Sequence, residues 1–184
     1  MFIQDGTGRG FVAGVTDKNR LMIDGLSETL AANASRESGR CFAIVALDTG
    51  PVAGEYTLWI QNDSDERHFV IDTIRTSNVN ADVVWKLHHV TGVGATAAVI
   101  VPVNLNLGSD LVAPLTCRGG AGGVSGLTIV NTLDVWMGGY VYNTTVIDTM
   151  SAILLAQNDA IAIEYDAGTG GAANVLIIGH FYPW

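Results

Sequence analysis

The side chains able to do chemistry in this chain are few and scattered. His68, His88, His89 and His180 are the first candidates for a metal site or a general base. A cupin-type metal site needs His-x-His, so that both rings leave the same face of one strand. His88 and His89 are adjacent, so on a strand they point to opposite faces, and only a distant trio such as His68, His89 and His180 remains. Surface or hydrogen-bonded core positions are the simpler reading of these rings. Two acidic runs, "NDSDE" (62–66) and "DAIAIEYD" (159–166), offer oxygen ligands. The first lacks the D-x-D-x-D-G-x5-E spacing of a calcium loop and reads as a solvated turn.

Nucleophile and phosphate motifs fare no better. Gly123-Val124-Ser125 is followed by Gly126 and Leu127, so the closing glycine of a G-x-S-x-G elbow falls one place early. "DGTGRG" (5–10) has the glycines of a phosphate loop, yet no strand precedes it and no Gly-Lys-Ser/Thr follows. It reads as a turn-rich arm. Trp59 and Trp85 sit in alternating stretches and are expected in the core rather than as a sugar platform. No catalytic residue, cofactor or metal is expected from these patterns, and an enzyme of cupin or hydrolase type is the third of three readings.

The elements that would position these residues are short strands. "CFAIVAL" (41–47), "EYTLWIQ" (55–61), "RHFVIDTIRT" (67–76), "VVWKLHHV" (83–90), "AAVIVPVNLNL" (97–107), "GLTIVNTLDVW" (126–136), "SAILLA" (151–156), "DAIAIEYD" (159–166) and "NVLIIGHFY" (174–182) follow one another between Gly, Asn and Asp turns. Alternation with a period of two marks half-buried strands. The expected fold is all-β, a jelly-roll-like β-sandwich over 41–184 with an extended N-terminal arm over 1–40. A lipocalin-like barrel is the rival. "GGAGGVSG" (119–126) and "AGTGGAAN" (167–174) read as glycine-rich connections, and "LSETLAANASRESG" (26–39) as the one short helix or a packed arm.

Charge divides at the same boundary. Residues 1–40 hold five basic and five acidic side chains, so the net charge of −9 lies wholly on the remaining body. So acidic a body repels phosphate backbones, which argues against nucleic acid as a partner. Cys41 and Cys117 are expected to be independent buried thiols rather than a disulfide framework. The opening "MFIQDGTGRG" lacks the basic and apolar regions of a signal peptide, and no uninterrupted apolar run approaches the roughly 20 residues of a membrane helix, "AAVIVPV" (97–103) being broken by Pro102. The sequence is therefore expected to be soluble, with no membrane partner.

Residues 3–42, "IQDGTGRGFVAGVTDKNRLMIDGLSETLAANASRESGRCF", resemble the N-terminal segment of tailed-bacteriophage virion structural proteins. These open on a D-G-T-G-x-G-like turn, continue to a V-D/T-x-x-N-R-L segment and a polar stretch, and then enter a β-rich body. The matching positions are Asp5, Gly6, Thr7, Gly8, Gly10, Val15, Asn19, Arg20 and Leu21. The resemblance implies a capsid decoration, or cement, protein that is homo-oligomeric, a trimer, and located on the virion after synthesis in the host cytoplasm. Its partners would be the major capsid protein and further copies of itself. Phe2, Asp5, Gly6, Arg9, Phe11, Asn19, Arg20 and Leu21 would form the anchoring arm that grips capsid or sister subunit. The alternative is the receptor- or glycan-binding head of a phage fibre or tail, with loops 119–126 or 167–174 contacting sugars.

Overall fold

The computed structural model describes residues 2–4, 12–15, 21–22, 39–79, 82–138, 144–168 and 170–183, and every regular element among them is a β-strand. At the N-terminus β1 (Phe2–Gln4), β2 (Val12–Val15) and β3 (Leu21–Met22) pair as an antiparallel meander, with Phe2 opposite Gly14 and Gly14 opposite Met22. The described parts of the arm are therefore paired strands, with β2 between β1 and β3. The helix expected over 26–39 falls, apart from Gly39, outside the described residues.

The body is two antiparallel sheets packed face to face. Its long strands are β4 (Cys41–Asp48), β5 (Glu55–Asn62), β6 (Arg67–Asn78), β7 (Val83–Thr91), β10 (Leu115–Val124), β11 (Thr128–Gly138), β12 (Thr144–Leu155), β13 (Ala160–Ala167) and β14 (Ala173–Pro183). Two short strands, β8 (Ala98–Val99) and β9 (Val103–Asn104), lie between β7 and β10. One sheet runs β11-β7-β13-β5-β10-β8 and the other β12-β6-β14-β4-β9. Setting β10 aside, the eight long strands pair from the outside inward: β4 with β14, β5 with β13, β6 with β12 and β7 with β11. Successive pairs alternate between the two sheets.

Alternation builds the core between them. Val83, Trp85 and Leu87 of β7, Ile161, Ile163 and Tyr165 of β13, and Phe42 and Ile44 of β4 belong to one buried cluster fed by both sheets. Trp85 is 0% exposed and meets the Tyr165 ring edge-on at 5.4 Å. The intervening residues face outward, and on the six-stranded sheet that outer face carries a second, smaller cluster of Trp59, Val90, Ala97, Val124, Ala160 and Ala162. Trp59, also 0% exposed, is therefore a core residue as expected, but of the second core.

Three strand expectations are corrected. "GGAGGVSG" is not a loop as a whole, because Gly119 to Val124 form the second half of β10. A Cβ on Gly119 would collide with the Thr57 carbonyl oxygen of the adjacent β5, so only glycine lets the two strands meet there. The positive φ of Gly120, Gly122 and Gly123 then builds the bulge that separates Gly119 from Val124 in the pairing. "AAVIVPVNLNL" is not one strand but β8 and β9 in different sheets, parted at Pro102, which has no N–H to give a ladder. Finally, β12 begins at Thr144, well ahead of the expected 151, a polar start that hides its strand period.

Candidate functional site

The chain between β7 and β11 departs most from a plain sandwich. From Ala97 it crosses the open side of the body: β8 pairs with β10 at the edge of one sheet, and β9 pairs with β4 at the edge of the other. Backbone bonds fasten this strap at both ends, Ile100 N–H to Cys117 O at 3.0 Å and Leu105 N–H to Cys41 O at 2.9 Å. Side chains fasten it further. Asn104 Nδ2 donates to Gly39 O at 2.7 Å and to Leu111 O at 3.0 Å, while its Oδ1 accepts from Asn106 N–H at 2.9 Å. Ile100 packs on the main core.

The strap is consequently inside out. Its inward positions include the amides Asn104 and Asn106, which satisfy the turn, whereas the outward ones are Val99, Val101, Val103, Leu105 and Leu107, 40–89% exposed. Leu111 and Val112 continue the exposed surface, and Val93 precedes it. Val103 stands opposite Ala43, which places the ridge beside Val45 and Leu47, the outward residues of β4. These ten residues are each 40–89% exposed, and exposed aliphatic residues gathered in this way mark interaction surfaces. From Gly92 to Cys117 the single charge is Asp110.

A second apolar surface lies on β11, at the edge of the six-stranded sheet opposite β8. On β11, Ile129, Val130, Leu133, Val135 and Met137 are 45–66% exposed, and Asp134 is the strand's one charge. Beside it a cavity of about 260 Å³ opens between the sheets, lined by His89, Leu133, Ile153, Leu154, Leu155, Asp159 and Ile161. Of its two titratable side chains, Asp159 accepts the Ala156 N–H at 3.0 Å, so its carboxylate closes a turn.

The histidines split as their adjacency requires. His89 lies opposite Ile161 on the core side, and His88 lies opposite Ala162 on the outer face. His88 Nε2 is 2.6 Å from Glu164 Oε2 and Nδ1 is 3.1 Å from Thr132 Oγ1, so both ring nitrogens are occupied in a side chain only 2% exposed. A carboxylate only accepts, so Nε2 carries the proton toward Glu164. Tyr56 meets the His88 ring edge-on at 6.0 Å, and burial together with the Glu164 charge holds its hydroxyl above the ordinary value. Next along the strands, Lys86 Nζ pairs with Asp166 Oδ1 at 2.6 Å, a hydrogen bond that raises the lysine pKa. With its imidazole spent on Glu164 and Thr132, this cluster ties four strands together. On the other sheet His180 Nδ1 is 2.8 Å from Asp72 Oδ2.

Cys41 and Cys117 are free and buried, as expected. Burial first, and then the nearby Asp72 charge, push the Cys41 thiol up to about 11; burial and Asp63 push Cys117 up to about 12. Thiols held so strongly neutral are poor nucleophiles. Among the described residues no three His, Cys, Asp or Glu side chains gather to hold a metal ion. Nor is any helix among them long and apolar enough to cross a membrane. "NDSDE" is a turn whose first residue is buried: Asn62 Nδ2 donates to Arg67 O and Leu155 O, each at 2.9 Å.

Of the expected arm residues, Phe2 lies in β1 and Leu21 in β3, while Asp5, Gly6, Arg9, Phe11, Asn19 and Arg20 lie outside the described residues. The aliphatic ridge was missed because its alternation looks like any half-buried strand. Its one sequence signal was the identity of the alternate residues, Pro and Asn, with charge nearly absent. No family model, curated protein or solved structure matches the chain.

Proposed function

We propose that this protein is a structural component of a phage virion, a homotrimer that decorates and stabilises the capsid surface and is anchored by residues 1–40. The observation that carries the assembly part is the inside-out strap: a fold that turns its amides inward and its valines and leucines outward needs a partner to cover them. Its virion part rests on the resemblance of residues 3–42. The outside-in pairing of eight strands supports reading the sandwich as a jelly roll, an architecture shared by viral capsid domains. Thirteen acidic against four basic residues after position 40 would keep decorated particles apart.

The glycan-binding alternative has less to stand on. Trp59 and Trp85 are fully buried and offer no stacking face, and Gly119 to Val124 of the candidate loop 119–126 are the bulged end of β10. Deleting residues 1–24 tests the proposal directly. The truncated chain is expected to fold as a body and to lose its association with purified capsids; undiminished occupancy on the particle would overturn the anchoring role.

A further inference from the structure

We infer that copies of this chain join head to tail, the aliphatic strap of one subunit packing on the β11 edge of the next, so that one repeated contact closes a ring. The inference rests on the oligomeric reading above and specifies its interface. In the six-stranded sheet β11 is one edge and β8 the other, five strand spacings or about 24 Å apart. The β8 edge carries exposed Val99, from which the strap runs through Val101 to Val103 in β9 at the edge of the other sheet, and the β11 edge carries Val135 and Met137.

A second copy is the occupant that fits both edges. A standard stable interface draws roughly 800 Å² from each partner, and the strap brings to it five aliphatic side chains, Val99, Val101, Val103, Leu105 and Leu107, that its own fold leaves 40–89% exposed. Within the strap and β11 themselves Asp110 and Asp134 are the only charges, and the residues opposite Val99 and Val135 are the cations Arg118 and Lys86, in a chain of net charge −9. Copies of so acidic a protein can meet closely only where neither must desolvate like charges. A two-fold contact of strap on strap would leave β11 bare. Head-to-tail contact covers both edges with one interface, and a closed ring leaves none over.

The mode of contact follows from β11 itself. An exposed strand of 11 residues without Lys, Arg or Pro is a template for uncontrolled strand addition. Two register shifts, between Ile129 and Asn131 and between Thr132 and Asp134, bend this edge away from such pairing. Its side chains, not its backbone, are what it offers a neighbour.

The test uses two full-length variants, Val101→Asp on the strap and Val135→Asp on β11, both at exposed positions. Light scattering at micromolar concentration is expected to show the wild type as a closed oligomer and each variant as a monomer with an unchanged far-ultraviolet spectrum. An equimolar mixture of the two variants is expected to form dimers, because it restores one good strap facing one good β11 edge. Three outcomes overturn the inference: a wild-type monomer, an oligomer that survives Val135→Asp, or a mixture that stays monomeric. Particle labelling separates this from the decoration reading, since a wild type that is monomeric in solution yet still binds capsids removes the ring and leaves the decoration.

Discussion

The sandwich and the segment that crosses its side are built from the same kind of residue and put it to opposite use. In β7 the alternation Val83, Trp85, Leu87 delivers side chains to the core at 0–2% exposure. In the strap the alternation Val99, Val101, Val103 delivers them to solvent at 55–73%. A period of two establishes that one face is apolar and says nothing about what covers that face. Cover is decided by the other face. Lys86 and His88 on the outward face of β7 have partners on β13 and β11. The residues alternating with the strap ridge are instead Ile100, which packs on the main core, Pro102, Asn104, which ties the strap to Gly39 and Leu111, and Asn106.

The largest effect should come from the sandwich. Trp85→Ala leaves a cavity against Tyr165 at the centre of the main cluster and is expected to destabilise the whole chain by about 3–5 kcal/mol, measured by urea denaturation. If the loss were confined to part of the molecule, the two sheets would not be one cooperative unit. Gly94→Val probes the crossing segment instead. A Cβ at Gly94 would stand 2.6 Å from the buried Trp59 ring and 2.9 Å from Val124, so the substitution should lift this segment from the outer face at a cost of about 1–3 kcal/mol. Limited proteolysis should then cut within 92–127 while the β4–β14 sandwich stays intact; uniform cleavage would contradict the division into two regions.

Alkaline pH gives a smaller, shared effect. The thiol pKa values are raised on folding from 9.0 to about 11 for Cys41 and about 12 for Cys117. The unfolded chain therefore gives up these protons first, and stability that is complete below pH 9 is lost as pH rises toward those folded values. The expected loss near pH 10 is on the order of 1 kcal/mol per thiol, read from denaturation midpoints and absent in a Cys41→Ala, Cys117→Ala double variant. Smallest of all should be the effect of Val101→Asp on the folding stability of the isolated subunit, within about 0.5 kcal/mol, because no intramolecular contact is lost at a surface site. A larger loss would mean that the ridge is held by its own chain.

Legibility followed the same divide. The all-β sandwich, the two buried tryptophans and the opposite faces of His88 and His89 follow from residue-level alternation, which a strand cannot escape, and the separate cysteines from their number in a chain of this length. Long-range geometry was hidden. That Gly119 must be glycine depends on the Thr57 carbonyl, 62 positions away, and the split of "AAVIVPVNLNL" depends on which sheet edge each half reaches. The His88–Glu164 pair joins residues 76 positions apart, and nothing local in either strand announces it.

A cryo-electron microscopy map of the protein on a purified particle tests the central claim most directly. The account predicts a ring of three sandwiches on the capsid surface, with residues 99–107 of each subunit buried against β11 of its neighbour and residues 1–40 reaching the capsid. Single copies whose valine and leucine ridge faces open solvent would contradict it.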